Sequence, residues 1–344
     1  MTAHVTIALD AMGGDHAPDV VVEGLQIARV RQPDIRFLLF GDQSRIAPLL
    51  DRFPEVRRVA EIRHTDKVIM GSDKPSQVLR GGRDSSMWLA VKAVADKQAA
   101  GVVSAGNTGA LMAVSKFLLR MVPGIDRPAI AGFYPTERGE SVMLDLGANI
   151  VCDAENLVEF AIMGDVFARI VLGVEEPSVG LLNVGSEELK GNDAVRGAAA
   201  ILKSGRVPLN FFGFVEGNDI TKGTVDVVVT DGFSGNIALK AAEGTANLYQ
   251  RFLREAFSSS WLAQLGYLLA RPALLKVKMR TDPRRYNGAM LLGLNGITVK
   301  SHGGTDAPGF ANAIGVAVDL VKYNFNERIK DELRMLKSAA EPAL

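Results

Sequence analysis

The sequence has little cysteine and no net charge. Cys152 is the one cysteine in 344 residues, which excludes an internal disulfide framework and fits a reducing compartment. Basic and acidic residues number 39 each, so charge gives no indication of a nucleic-acid partner. No apolar run approaches the ~20 residues of a membrane-spanning helix, and the N-terminus lacks the pattern of a signal peptide. We therefore expect a soluble cytoplasmic protein.

The motifs of several enzyme classes are missing as well. No G-x-x-x-x-G-K-[ST], G-x-G-x-x-G or G-x-S-x-G pattern occurs, which argues against Walker-type nucleotide binding, a dinucleotide fingerprint and a hydrolase nucleophile. The four histidines are scattered, and neither H-E-x-x-H nor paired C-x-x-C occurs, so we expect no metal and no cofactor. Cys152 is expected to be a small buried side chain; a nucleophilic thiol is the alternative.

What the sequence does contain is an alternation of strand-like and helix-like runs. Strand-like runs occupy residues 5–9, 36–40, 56–63, 99–103, 129–133, 141–146, 179–184, 209–214 and 225–230. Apolar residues recur at helical spacing over residues 20–31, 85–97, 157–172 and 194–203. This order predicts an α/β fold whose mainly parallel sheet carries helices on both faces. Ligands of such sheets bind beyond the carboxyl ends of the strands.

Polar, glycine-containing stretches follow many of these strand-like runs. They occupy residues 10–18, 104–110, 144–149, 183–192, 213–219, 231–236 and 300–304. In the second of them, Asn107 and Thr108 stand where helix-capping residues belong, and the N–H groups of a helix N-terminus attract phosphates and carboxylates. Simple capping is the alternative for any single stretch. Seven such stretches without an acidic metal cluster predict an anionic ligand held by several loops.

Two further loops each have more than one interpretation. Asp10 and Asp15 flank the glycine pair Gly13-Gly14, where they either orient loop N–H groups, bind a cation or form an ordinary tight turn. Residues 71–84 are polar and rich in turn residues. They are interpreted either as a mobile loop near the site or as a solvated connector.

The segment 248–285 differs in character from the rest of the chain. It mixes apolar and aromatic residues with eight basic and two acidic ones, and Pro272 is expected to interrupt its helical pattern. Such a composition suits a helix in the lipid interface, an acidic protein partner or a pair of dimer-interface helices. We expect one α/β domain over residues 1–338, from which residues 248–285 protrude, and a short tail over residues 339–344.

Taken together, the seven polar stretches resemble the phosphate acyltransferases of bacterial phospholipid synthesis, the PlsX family. The match runs in the family's order and covers nearly all of the chain. The resemblance implies transfer of a long-chain acyl group from acyl carrier protein to inorganic phosphate, giving an acyl phosphate. It also implies a homodimer, an αβα sandwich related to phosphate acetyltransferases and isopropylmalate dehydrogenase-like folds, no metal, and peripheral attachment to the cytoplasmic membrane. Family precedent makes Lys190 and Asn236 the catalytic candidates.

The chemistry of that reaction assigns expected roles to the remaining residues. Phosphate is a nucleophile at neutral pH and a thiolate is a fair leaving group, so no covalent enzyme intermediate is required. The substrate-binding residues are expected to be Gly13, Gly14, Asp15, Asn107, Thr108, Gly109, Asp145, Asn149 and His302. Asp145 and Asn149 are expected to shape the pocket, and His302 either protonates the departing sulfur or anchors the substrate. The membrane is expected to contact Trp261, Leu262, Leu265, Leu268 and Leu269, within residues 258–285.

Three other functions are consistent with parts of the same pattern. A phosphate acetyltransferase-like enzyme that uses acyl-coenzyme A shares the fold and the reaction type. A dehydrogenase of the isopropylmalate type shares the architecture but needs the nicotinamide and metal motifs that the sequence lacks. A membrane-bound scaffold with a vestigial anion site is the non-enzymatic alternative.

Overall fold

A computed structural model describes residues 5–280 and 282–340 of the chain. Its centre is one 11-stranded sheet with helices on both faces. The strands are β1 Val5–Asp10, β2 Ile35–Gly41, β3 Ala60–His64, β4 Gly101–Ser104, β5 Ala129–Thr136, β6 Gly139–Leu144, β7 Ser178–Leu182, β8 Asn210–Val215, β9 Val227–Val229, β10 Ala289–Leu292 and β11 Ile297–Lys300. The αβα sandwich expected from the sequence is confirmed.

Thirteen α-helices in the described part of the chain connect and cover these strands. They are α1 Asp19–Arg31, α2 Gln43–Leu50, α3 Pro54–Arg57, α4 Pro75–Gly81, α5 Ser86–Ala95, α6 Thr108–Leu119, α7 Ala154–Val171, α8 Asp193–Lys203, α9 Gly217–Lys222, α10 Gly232–Ser258, α11 Trp261–Arg280, α12 Ala307–Lys322 and α13 Phe325–Ala340, with a 3-10 turn at Pro283–Tyr286. Helix α13 ends at Ala340, and residues 341–344 of the expected tail lie outside the described residues.

The sheet consists of two parallel blocks that run in opposite directions. Its strand order is β3-β2-β1-β4-β11-β10-β5-β6-β9-β7-β8. Strands β3, β2, β1, β4 and β11 are mutually parallel, and so are β6, β9, β7 and β8. Antiparallel pairing through β10 and β5 joins the blocks and reverses the direction between them. The carboxyl ends of the strands in the two blocks therefore point in opposite directions, and the polar loops follow these two opposite sets of strand ends.

Alternating side chains of the strands divide the core into two apolar layers. One layer joins residues such as Ile7 and Leu9 to α1, α7, α8 and α12. The other joins Ala8 and Val102 to α4, α5 and α6, and side chains of α10 pack against it. Helices α6 and α10 thus lie on the same face of the sheet.

Three local expectations differ from the structure. Residues 56 and 57, at the start of the expected strand 56–63, belong to α3, because Pro54 at the first helical position favours a helical turn. Strands β10 and β11 have four residues each and follow a basic segment, so their short apolar runs gave no strand signal. Helix α11 continues through Pro272, since a proline removes one intrahelical hydrogen bond but leaves those of the neighbouring turns.

Helices α10 and α11 form a hairpin that the sheet covers only at its base. Ala238, Leu239 and Ala242 pack against the apolar layer. Beyond them nearly every residue of both helices is exposed. The rings of Phe257 and Tyr267, with centroids 5.4 Å apart, pack one helix on the other near the turn.

Candidate active site

The first group of polar loops follows β1, β4 and β11, three adjacent strands, and is built around Asp10. Asp10 is 1% exposed and accepts hydrogen bonds from Ser86 Oγ at 2.6 Å and Ser104 Oγ at 2.7 Å. Backbone N–H groups of Met12 and Gly13 also donate to it. Burial raises the pKa of this carboxyl, and the four hydrogen bonds oppose that effect. The sequence left open whether Asp10 orients loop N–H groups, and in the structure it does so.

Close backbone approach brings these three loops into contact. A Cβ atom on Gly13 would lie 2.3 Å from Asp10 Oδ2 and 2.8 Å from the Gly106 nitrogen. Gly14 has a φ of +103°, and a Cβ there would lie 2.9 Å from the Ala105 Cβ. The Asp15 N–H donates to the Gly303 carbonyl oxygen at 2.9 Å. The expected residues Gly13, Gly14 and Asp15 therefore meet the loop that carries His302.

Both polar atoms of the Asn107 side chain form hydrogen bonds within the protein. Its Oδ1 accepts the Ala110 N–H at 3.0 Å, which caps α6. Its Nδ2 donates to the carbonyl oxygens of Gly71 at 2.8 Å and Asp73 at 3.1 Å, so it also holds the preceding loop over the first turn of α6. A phosphate at this turn would find the backbone N–H groups of Thr108 and Gly109 rather than the Asn107 amide.

The loop after β11 contributes a lysine and an imidazole. Lys300 Nζ donates to the Ala105 carbonyl oxygen at 3.3 Å and to the Ser301 carbonyl oxygen. Burial lowers the pKa of Lys300 to about 8, while the carboxylates of Asp10 and Asp15 act in the other direction. His302 is exposed, and its Nδ1 accepts the Gly304 N–H at 3.2 Å.

The second group consists of the loops after β6, β9 and β7, and the first two of these meet at Asp145. Asp145 is fully buried, and its carboxylate accepts hydrogen bonds from five N–H groups. The donors are Ile130 N, Gly147 N, Ala148 N, Asn149 N and Asn149 Nδ2, at 2.7–3.1 Å. Asn149 Nδ2 also donates to the Pro128 carbonyl oxygen at 2.7 Å. Both residues thus fix the turn at 145–149, which agrees with the supporting role expected for them.

Helix α10 begins directly against this turn. Gly235 lies so close to it that a Cβ would sit 2.0 Å from the Asp145 carbonyl oxygen, so only glycine fits. Asn236 follows and donates from Nδ2 to the Leu146 carbonyl oxygen at 3.1 Å. Because a side-chain amide has two N–H donors, one remains for a ligand.

Lys190 lies in the loop between β7 and α8. Its side chain is exposed, and within the described part of the chain its ammonium forms no ion pair. The backbone of the loop is fixed by Asn183, whose Nδ2 donates to the Lys190 carbonyl oxygen at 3.2 Å. An ammonium with this freedom is available to an anionic substrate.

The expected site residues therefore fall into two groups, with contacts among the loops of the first group and between the turn at 145–149 and Asn236 in the second. Gly13, Gly14, Asp15, Asn107, Thr108, Gly109 and His302 belong to the loops after β1, β4 and β11; Asp145, Asn149, Lys190 and Asn236 belong to the loops after β6, β9 and β7. Lys300, which the structure places in the first group, was not among the expected site residues. In the sequence, Lys300 stands directly after a short apolar run, and that position was its one distinguishing feature. The run has only three residues before the lysine, so the strand β11 was not recognised.

The surroundings of Cys152 do not favour a nucleophilic thiol. Burial, followed by the charges of Asp145 and Asp231, raises the pKa of the Cys152 thiol to about 11. The thiol is therefore protonated and a poor nucleophile at neutral pH. Across residues 5–280 and 282–340, no three His, Cys, Asp or Glu side chains are arranged to hold a metal ion.

Comparison with solved structures defines the class of protein. A phosphotransacetylase from Streptococcus pyogenes aligns with a TM-score of 0.62 at 17% identity, over 94% of this chain and 95% of that one. The EutD phosphotransacetylase from Staphylococcus aureus aligns with a TM-score of 0.58 at 14% identity, over 92% and 94% of the two chains. The fold is that of the phosphotransacetylases.

Sequence comparison then defines the family. The pattern of a family described as "Fatty acid synthesis protein" matches residues 5–328. A phosphate acyltransferase of Paramagnetospirillum magneticum is 68% identical over 98% of this chain and 97% of its own length. Another, of Rhodospirillum centenum, is 65% identical over 100% and 97% of the two lengths. The chain belongs to this phosphate acyltransferase family, PlsX, and is an acyltransferase.

Proposed function

We propose that this acyltransferase moves a long-chain fatty acyl group from the thioester of acyl carrier protein to inorganic phosphate. The products are an acyl phosphate for phospholipid synthesis and the free carrier thiol. The observation that carries the proposal is the pair of loop groups, each with a buried aspartate, which lead into two helices, α6 and α10, that pack on the same face of the sheet. They offer backbone N–H groups, an amide and an ammonium, which are the donors that a phosphate and a thioester oxyanion require.

The twist of the sheet supports convergence of the two groups. Adjacent strands rotate by about 20–25°, and four steps separate β4 from β6. The accumulated rotation of about 80–100° turns the oppositely directed edges toward a common side. Helices α6 and α10, whose N-terminal ends carry Asn107 and Asn236, both pack on the same face of the sheet. We infer that the cleft between them holds the substrates.

The proposed chemistry is a direct displacement. A phosphate oxygen forms a bond to the thioester carbonyl carbon, the carbon–sulfur bond breaks, and sulfur leaves as a thiolate that takes a proton from His302 or from water. Backbone N–H groups of Gly13, Gly14, Thr108 and Gly109 hold the phosphate, with Asp15 supporting their loop. Lys190 and Asn236 act as the catalytic donors, to phosphate or to the oxyanion.

We further propose that the α10–α11 hairpin contacts the cytoplasmic membrane. Trp261, Leu262, Leu265, Leu268 and Leu269 are all exposed, Leu269 to 76%. Arg251, Arg254, Arg271 and Lys276, on the same two helices, are exposed as well. Exposed apolar side chains among basic ones suit the surface of an anionic membrane. No described helix is both long enough and apolar enough to cross a bilayer, so the proposed contact is peripheral.

A homodimer is the proposed assembly. Support comes from the family resemblance and from apolar side chains exposed outside the hairpin, among them Val151 and Phe212. Sedimentation equilibrium should give a mass about twice the 36.8 kDa of the chain. A monomer at all concentrations would contradict this assembly.

The test of the reaction compares acyl donors with the purified protein. Acyl-carrier-protein and acyl-coenzyme A thioesters are supplied with and without phosphate, and acyl phosphate is trapped as its hydroxamate. We expect phosphate-dependent product from the carrier-protein thioester. Preference for the coenzyme A thioester would support the phosphate acetyltransferase-like alternative, and product formation without phosphate would contradict the proposed reaction.

A further inference from the structure

One row of polar side chains crosses three adjacent strands at the start of the first loop group. Ser104 at the end of β4 pairs in register with Lys300 at the end of β11. On its other side, Ser104 Oγ donates to Asp10 at the end of β1. The three side chains face the same apolar layer as α6. Lys300 is therefore the last residue of this row. The side chains of the other two members, Asp10 and Ser104, already form hydrogen bonds with protein partners.

The ammonium of Lys300 lies where the three loops meet. It donates to the Ala105 carbonyl oxygen, and that oxygen is 3.7 Å from a Cβ built on Gly14 and 3.6 Å from one built on Gly303. The Ser301 carbonyl oxygen accepts a second N–H. An ammonium has three donors. Two carbonyls take two of them, and the third is left at the junction of the loops.

The charge of this ammonium is not neutralised by a direct partner. Among the described residues no carboxylate oxygen lies within 4.0 Å of Lys300 Nζ, and Asp10 is engaged by Ser86 and Ser104. Neutral carbonyls compensate a half-buried charge less well than an anion does. The lowered pKa of Lys300 agrees with this incomplete compensation. A bound dianion would complete it.

We propose that Lys300 is the cationic group that binds the phosphate substrate, at the junction of the loops carrying Gly14, Ala105 and Gly303. This inference rests on the proposed function and assigns the phosphate end of the cleft to the first loop group. Lys190 and Asn236 are then left to face the thioester carbonyl. The alternative is that Lys300 only ties the loops together through its two carbonyl partners.

The pH dependence separates these two roles. The charged groups that act on Lys300 are Asp10 and Asp15, from β1 and its loop; the neighbouring strand β4 and the paired Ala289 of β10 contribute none, and His302 is the titratable residue of its own loop. With its pKa lowered to about 8, Lys300 loses its charge in the alkaline range. Phosphate remains a dianion there, so its KM should rise in the alkaline range.

The experiment compares Lys300→Met and Lys300→Arg with the wild type and with Lys92→Met, a control on the exposed end of α5. Lys300→Met should raise the KM for phosphate at least tenfold, about 1.4 kcal/mol, and leave the KM for the acyl donor unchanged. The alkaline rise of the phosphate KM should disappear in Lys300→Met. In Lys300→Arg it should move to higher pH, because a guanidinium keeps its charge.

A second measurement does not depend on turnover. Inorganic phosphate should raise the Tm of the wild type and of Lys92→Met but not that of Lys300→Met. If Lys300→Met does not fold, the pH profile of Lys300→Arg decides alone. An unchanged phosphate KM and an unchanged pH profile in a folded variant would overturn the inference while leaving the reaction intact. A wild type that turns over without phosphate would overturn the proposed function instead.

Discussion

The side-chain amide of Asn236 donates to the carbonyl oxygen of Leu146 over 3.1 Å. This hydrogen bond joins the first turn of α10 to the turn at 145–149, which the buried carboxylate of Asp145 already holds rigid. The orientation of the amide is therefore set before any substrate binds. Preorganised donors of this kind are effective in stabilising a developing oxyanion, because they need not reorient during the reaction.

The first prediction concerns the two proposed catalytic residues. Asn236→Ala and Lys190→Ala should each lower phosphate-dependent release of carrier thiol by about a hundredfold or more, the usual effect of losing one oxyanion donor. Stopped-time thiol titration measures it. Asn210→Ala and Arg206→Ala alter exposed residues of the same block and should keep a near-normal rate. Near-normal rates in both variants would contradict the assignment of Lys190 and Asn236 as catalytic residues.

The second prediction concerns the contact between the loops after β1 and β4. Gly13→Ala places a methyl group 2.8 Å from the Gly106 nitrogen, where only backbone movement gives room. The loop should shift and the KM for phosphate should rise severalfold. Gly81→Ala is the matched control, since a Cβ there meets nothing within 4 Å. Equal phosphate KM values for the two variants would show that the loop does not hold phosphate.

The third prediction is that Cys152 takes no part in the reaction. Cys152→Ser should leave the rate almost intact, and intact-mass measurements during turnover should find no acylated protein. Because the thiol pKa is raised to about 11, the thiolate fraction is small at neutral pH and should increase with pH until that value. Alkylation by iodoacetamide should therefore be slow at about pH 8 and accelerate steadily up to about pH 11. An inactive Cys152→Ser variant would indicate an acyl-enzyme.

The fourth prediction tests the membrane contact of the hairpin. Leu262→Glu or Leu268→Glu places a charge on an exposed apolar surface and should abolish sedimentation with anionic liposomes. The soluble assay should be unaffected, because both side chains are exposed on the hairpin. Gln264→Glu adds the same charge on the same helix outside the proposed contact residues and should weaken binding less. Unchanged pelleting of both leucine variants would favour an acidic partner or a dimer contact.

The strands and the polar loops after them were largely predictable from the sequence. Alternating apolar runs identify β1, β2, β4 and β5, and an aspartate or asparagine follows many strands. The reversal of direction between the two blocks was not predictable. It depends on β10, a four-residue strand whose pairing is long-range and leaves no local signal.

The site was predictable in its residue types more than in their roles. Asn107 has the position of a phosphate ligand in the sequence, yet its amide holds Gly71 and Asp73. Conversely, Lys300 has no distinguishing sequence feature beyond its place after an apolar run. Its importance comes from burial and from the convergence of three loops that are distant in the sequence. Such features arise only when the tertiary structure forms.

The most direct measurement of the central claim is a crystal structure of the protein with phosphate bound. The proposed function predicts one phosphate in contact with Lys300 and the N–H groups of the Gly13-Gly14 loop, in a cleft that Lys190 and Asn236 also line. A phosphate bound elsewhere, or a first loop group that shares no cavity with Lys190 and Asn236, would contradict it.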